Sequence, residues 1–529
     1  MSINNLKMGI ASETKLYIDK NIFSRNQTDY NKLKKLFLER KYEANSFSDV
    51  DLDVLNFDWN SVKCDRNWWW QLQALPFLNW YINSYKVQTK EERLEYFSLC
   101  LKAILCWINN GKDNKDSPLV WHDHASAFRL KNLVNWFIFC QVAELPVGAD
   151  VKVNWLEDLV FEHLDWLQDD KNYSIHTNHG FDQAMIGLTV SLMFTHDNFE
   201  SYRRINRERL ENEVTFAFTV EGVHKENSPG YQKAMLGRLR QLTSLSVFGE
   251  DKVTKLGEHY IAKAESFLKA ITLPNGYLPI IGDTRSEDKG LVDDEIPEEG
   301  YRVYDYSSSG YLIVKGKIKK KHSFTLIFKC CHDSNYHRHD DDLMIYLNVD
   351  GETLLGDGGL GLHDEKNPKR KYLRSVHAHT MPVINRPFIR ERSKLSLPPK
   401  LIHETNKKVL SGISYGYGIK VMREIDYSNL NNGLLIVRDE CDDQDLSSNW
   451  IIGDRDITLS NKGVKIEFTN FRLVISSDQS ESKRIMRGWS SNELSTNSIF
   501  SKKYGQFSKC NRVLLGGLDK SLEVRLKIE

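Results

Sequence analysis

The sequence predicts an α+β protein with two large, segregated domains, helices first and antiparallel strands after. At 529 residues the chain is too long for one ordinary core. From Trp68 to about Leu273 the apolar residues recur at helical spacing. After Pro274-Asn275-Gly276 they give way to short runs rich in β-branched and aromatic residues that continue to the C-terminus. Helices followed by strands, rather than alternating with them, separate into two domains instead of sharing one sheet.

Residues 1–60 are polar and weakly periodic, and read as an N-terminal extension or cap. The helical domain is expected over residues 61–285. Leu94, Phe97, Leu101, Ile104 and Ile108 fall on one helix face, as do Leu256, Tyr260, Ala264, Phe267 and Ile271. Further helices are expected around 127–144, 154–168, 181–195, 202–219 and 231–247, with short polar turns suited to antiparallel neighbours. Trp68, Trp69 and Trp70 are assigned to the helical core rather than to a sugar platform. Over residues 286–529, runs such as Gly310-Tyr311-Leu312-Ile313-Val314, Phe324-Thr325-Leu326-Ile327-Phe328 and Leu343-Met344-Ile345-Tyr346-Leu347 read as strands of a β-sandwich.

Apolar residues make up 40% and charged residues 27%, enough to bury a core and keep a polar surface. Lys+Arg and Asp+Glu both number 72, so no global charge favours nucleic acid or an anionic membrane. No apolar run approaches membrane-spanning length, and no membrane insertion is expected. The eight cysteines are scattered without a CxxC pair; buried free thiols are expected, not a disulfide framework or a thiolate metal site. The start, Met1 to Lys7, lacks a basic stretch followed by an apolar one. A cytoplasmic location is therefore the expectation, or a periplasmic one if the natural start lies upstream. The lysines at 317 and 319–321 read as solvated turn charges.

Three stretches carry chemistry. In Thr177-Asn178-His179-Gly180 a neutral amide able to bond a carboxylate precedes an imidazole that titrates near neutrality, and Gly180 permits close backbone approach. The plainer alternative is that Asn178 caps the helix starting near Phe181. In Glu226-Asn227-Ser228-Pro229-Gly230-Tyr231 a Pro/Gly bend holds Tyr231 at a helix start, where cations could lower its pKa from about 10 and make it an acid or base. The alternative is an aromatic loop anchor. In His337-Arg338-His339-Asp340 the two histidines share a face if the segment is extended. His339, Asp357 and His379 could converge as a two-imidazole, one-carboxylate metal set, with zinc the first candidate; the alternative is an ion-paired loop. No organic cofactor is indicated.

Taken together, Asn178-His179-Gly180, the Gly222 to Tyr231 stretch, the His337 to Leu343 stretch and Arg374-Ser375-Val376-His377-Ala378-His379 resemble the heparinase II/III-like polysaccharide lyases. Trp121-His122-Asp123-His124-Ala125 with Arg129, and the Gly276 to Asp283 stretch, support the resemblance, which runs from about residue 60 to 400. It implies an incomplete (α/α) toroid followed by an antiparallel β-sandwich. It also implies β-elimination on an acidic polysaccharide containing uronic acid, such as a glycosaminoglycan. Asn178, with His179, would neutralise the uronate carboxylate; Tyr231 would serve as acid and for some stereochemistries as base too, and His337 would be the alternative base. His124, Arg129, Glu226, Asn227 and Arg374 would bind substrate, and His339, Asp357 and His379 would hold a structural zinc. Thr380 follows His379 where the family usually has Asn, and Glu221 stands where it has Asp. Two other readings are a glycoside hydrolase using Asp123 and Glu226 as its carboxylate pair, and a non-catalytic protein that binds acidic glycans.

Overall fold

A computed structural model describes residues 8–529 apart from 22–23, 46, 61–64, 118, 144–153, 293–295, 331–333, 336, 443–444, 461–462 and 518. Of the residues singled out above, Met1 to Lys7, Cys64, Cys331 and Tyr336 lie outside the described ones. The chain divides into two compact units, Met1–Phe216 with Leu239–Glu258, and Ala217–Arg238 with His259–Glu529.

The helices in chain order are α1 (Thr14–Asn21), α2 (Gln27–Leu38), α3 (Arg66–Gln73), α4 (Pro76–Ser84), α5 (Lys90–Asn110), α6 (Asp123–Val142), α7 (Asn154–Gln168), α8 (Asn178–Leu192), α9 (Glu200–Ala217), α10 (Pro229–Thr243) and α11 (Lys252–Ile271). In the first unit, α6 and α8 are buried on nearly every face, and every residue from Gly180 to Ser191 is buried. A helix buried nearly all round belongs at the centre; α6 accordingly packs against α3, α4, α7 and α8. Residues 14–60 add core of their own: Leu33 and Leu36 of α2 are buried, and so are Tyr42 and Trp59. Thr89 and Glu92 close a capping box at the start of α5. The buried face of α5 runs through Tyr96, Phe97, Cys100, Ala103, Ile104 and Trp107, while Leu94 is exposed. That stripe is rotated from the expected one because Tyr96 and Trp107, rather than the aliphatic residues alone, define it. Trp68 and Trp69 are buried; Trp70 is only partly so.

In the second unit, strands β1 (Tyr301–Tyr306), β2 (Tyr311–Ile318), β3 (His322–Lys329), β4 (Met344–Val349) and β5 (Glu352–Leu355) form an antiparallel meander. Almost every residue of β2 and β4 is buried, as expected of strands covered on both faces. An eight-stranded antiparallel sheet runs from Lys400–Glu404 at one edge and includes the C-terminal strand Ser521–Ile528. Leu312, Leu326, Ile345, Leu410, Val437 and Val524 belong to one apolar core shared by these sheets, which makes the unit a sandwich. Six described cysteines are buried. Among the described residues, no helix is long and apolar enough to cross a membrane.

Candidate active site

In the helical unit, the N-cap of α8 is Thr177, whose hydroxyl accepts from Gly180 N at 3.1 Å. Asn178 is therefore the first helical residue and its amide is not the cap, which removes the plainer reading of that residue. A Cβ on Gly180 would stand 2.3 Å from the Ser174 carbonyl oxygen, so the tight entry into α8 requires glycine. His179 Nδ1 lies 3.0 Å from Asp123 Oδ2 at the start of α6, and His122 Nδ1 lies 2.8 Å from Asp123 Oδ1. Ser174 Oγ donates to the same carboxylate at 2.5 Å. Burial alone would raise the Asp123 pKa, but the bonds from His122 and His179 outweigh it and hold the carboxyl well below its usual range. The His124 ring stacks on His179 at 4.1 Å and on Trp70 at 4.8 Å, and its Nε2 meets Asp182 Oδ2 at 2.8 Å. An amide and a braced stack of imidazoles thus stand at one helix start.

Arg129 departs from the expectation that it binds substrate. Its side chain is wholly buried, with Nε donating to His163 Nε2 at 2.8 Å, Nη1 to the Gln73 and Val120 carbonyls and Nη2 to Ser126 Oγ. The guanidinium also lies 4.2 Å from the Trp107 ring. It braces α6 against its neighbours and has no donor directed at a ligand.

In the second unit, Tyr231 and His337 come together. Their ring centroids are 4.2 Å apart. Pro229 opens α10, and the Thr284 hydroxyl accepts from Gly230 N at 3.0 Å, fixing the turn that presents Tyr231. His337 and Asn227 both hold left-handed backbone, with φ of 50° and 61°, a region uncommon for residues with a Cβ although His and Asn adopt it more readily than most. Asn227 Nδ2 donates to the Ser334 carbonyl at 2.9 Å, joining the two loops. Asn227 thus orders this site from within. Glu226 Oε2 is 3.7 Å from His337 Nε2. Burial and then the neighbouring Asp283 and Glu226 carboxylates push the Tyr231 phenol well above its ordinary pKa. The cations that could have lowered it are outweighed, so the ring is a proton donor at neutral pH.

Asp283 stands at the centre of this cluster, and sequence reasoning did not single it out. Its Oδ2 lies 2.8 Å from His337 Nδ1, and its Oδ1 3.0 Å from His339 Nε2. Arg370 donates to both oxygens, from Nη1 at 2.7 Å and Nη2 at 3.0 Å. Burial opposes its charge, yet the two histidines and Arg370 hold the carboxyl well below the carboxylate range. The only signal for Asp283 was its place in the Gly276 to Asp283 stretch. Arg370 gave none, because it sits in a lysine-rich helix, α12 (Pro368–Leu373), that reads as solvated charge. Arg374 is engaged within the protein. Its Nε and Nη2 donate to the Arg338 carbonyl at 2.9 and 2.7 Å and its Nη1 pairs with Glu365, so it holds the His337 loop rather than facing a ligand.

His339, Asp357 and His379 also gather, all buried, with one ligating atom from each within 4.8 Å of the others. His379 Nδ1 meets Asp357 Oδ2 at 2.9 Å. His339 Nδ1 and His379 Nε2 are buried with no hydrogen-bond partner among the described residues. Two orphaned imidazole nitrogens beside a carboxylate fit a metal ion, since a buried lone pair without a donor is otherwise costly. Asp283, His337 and His363 are equally close to one another. There, however, both Asp283 oxygens already accept two bonds each, so that group reads as a hydrogen-bonded cluster.

Comparisons with known proteins agree with this architecture. A heparan sulfate lyase HepC mutant from Pedobacter heparinus shares the fold with a TM-score of 0.69 at 14% identity, over 97% of this chain and 87% of that one. A heparinase III matches with a TM-score of 0.74 at 14% identity, over 97% and 89%. The fold is thus the incomplete (α/α) toroid followed by an antiparallel β-sandwich. No curated protein matches the chain. Residues 10–308, more than half of the sequence, match the heparinase II/III N-terminus family, and the chain belongs to that family.

Proposed function

We propose that this protein is a polysaccharide lyase that cleaves a uronate-containing glycan by β-elimination, leaving a 4,5-unsaturated uronate end. The observation that carries the reading is the Tyr231–His337 pair, a phenol kept protonated beside an imidazole flanked by carboxylates. Elimination needs a base for the C5 proton, a donor for the departing O4 and a partner for the carboxylate that gathers charge. His337 takes the C5 proton, the C5–H electron pair forms the C4=C5 bond, and the C4–O4 bond breaks as O4 receives the Tyr231 proton. The imidazolium formed on His337 is stabilised by Asp283 at 2.8 Å and Glu226 at 3.7 Å. The family resemblance assigns neutralisation of the uronate carboxylate to Asn178, with His179. His124 and Glu226 support these groups from behind. Family membership, and a fold shared with a heparan sulfate lyase and a heparinase III, favour a glycosaminoglycan or a similar acidic glycan as substrate. Zinc suits His339, Asp357 and His379, and when bound it would supply structural cross-linking of the loop that carries His337.

The hydrolase alternative needs Asp123 as one of two carboxylates. Asp123 already receives bonds from His122, His179 and Ser174, which leaves it ill suited to exchange a proton. The test is ultraviolet absorbance of the conjugated uronate across a panel of acidic polysaccharides, with Tyr231→Phe alongside. Absorbance is expected on at least one glycan, with the rate falling about 10²–10⁴-fold in the variant. New reducing ends without absorbance would replace the lyase reading with hydrolysis.

A further inference from the structure

One buried carboxylate touches both a histidine assigned to the reaction and a histidine assigned to the metal. His337 Nδ1 and His339 Nε2 each lie within hydrogen-bond distance of Asp283, on different oxygens. The carboxylate side chain is fully buried, and Arg370 grips both of its oxygens. An ionised carboxylate only accepts, so each ring nitrogen facing it must carry the proton. Arg370 Nη1 also lies 3.5 Å from His339 Nε2, but that is a longer approach by a donor already bonded to Asp283 and to the Leu360 carbonyl. A neutral imidazole has one N–H, so fixing it on one nitrogen leaves a lone pair on the other. On His337 that is Nε2, the nitrogen nearer Glu226. On His339 it is Nδ1, the nitrogen found buried and without a partner among the described residues.

We propose that Asp283 is a positioning residue that sets the tautomers of both histidines at once, leaving His337 Nε2 free to take the substrate proton and His339 Nδ1 free to bind the metal. This rests on His337 being the base of the proposed elimination. The arrangement couples the two sites through one carboxylate: a shift of Asp283 toward either ring weakens its hold on the other. Arg370 keeps Asp283 charged and fixes its plane, so that each oxygen faces one ring. An asparagine at 283 presents one carbonyl and one amide N–H, and can accept from only one of the two histidines.

The test combines nitrogen NMR of histidine-labelled protein without metal, assigned with His337→Gln and His339→Gln, with measurements on Asp283→Asn. In the wild type the proton is expected on Nδ1 of His337 and on Nε2 of His339. In Asp283→Asn at least one readout is expected to fall, according to which ring loses its acceptor: zinc affinity, read by competition with a chromophoric chelator, about 10–100-fold, or kcat about 100-fold with KM within about threefold. The opposite tautomer on either ring overturns the proposal, as does a folded Asp283→Asn with zinc affinity and kcat both unchanged. If that variant fails to fold, the wild-type tautomers decide. Tautomers and zinc affinity are read without any glycan, so absence of lyase activity would reject the elimination reading alone.

Discussion

The protonation of Tyr231 distinguishes two roles for that residue. Burial and two nearby carboxylates raise its pKa, so the phenol is the resting form throughout the neutral and mildly alkaline range. The sign follows directly: a raised pKa keeps the proton on as pH climbs past the ordinary value of about 10. kcat is therefore expected not to grow between about pH 8 and pH 10. A rise of about tenfold per pH unit there would identify the tyrosinate as the reactive form. Arg129 makes the contrasting case. It resembles a substrate-binding residue in sequence, yet its donors serve four buried acceptors. Arg129→Met is expected to destabilise the protein by about 3–5 kcal/mol in chemical denaturation, because those acceptors lose their donor. The folded fraction should retain kcat and KM. A loss of affinity without a loss of stability would return Arg129 to the glycan site.

At the scale of elements, the start of α8 concentrates the constraints. Thr177 caps the helix, Asn178 opens it, and Gly180 accommodates the Ser174 carbonyl at a distance no Cβ tolerates. Thr177→Ala is expected to cost about 1 kcal/mol of stability. It should also lower kcat, since the cap fixes the direction in which Asn178 leaves the helix; Thr177→Ser should restore both. Thermal melts and turnover measured side by side check this, and unchanged turnover in Thr177→Ala would separate the cap from the proposed role of Asn178. The corresponding device in the second unit is Pro229 with Thr284, which sets the start of α10 and thereby Tyr231. A rigid helix start places a side chain more narrowly than a free loop does.

For the molecule as a whole, the buried metal group predicts a measurable linkage. A ligand that binds only the folded state adds about 2.7 kcal/mol when present at a hundred times its Kd. Added zinc is expected to raise the melting temperature, and chelation to lower it. His339→Ala or His379→Ala should abolish the response, and an equal response in those variants would place the ion elsewhere.

The sequence by itself determined the order of helices and strands, because periods of 3.6 and of 2 can be read locally. It also marked Asn178 and Tyr231, which sit in stretches bent by Gly or Pro, and His337, which sits in a run of histidine and aspartate. It could not show that Arg129 and Arg374 face inward, since burial of a charge depends on acceptors supplied by distant carbonyls. Nor could it find Asp283 or Arg370, which are 87 residues apart and acquire meaning only as an ion pair. The tertiary structure alone decided those assignments. Helix and strand periods belong to the local backbone, whereas the ionisation, tautomer and exposure of a polar group are set by what folding brings to within about 3 Å of it.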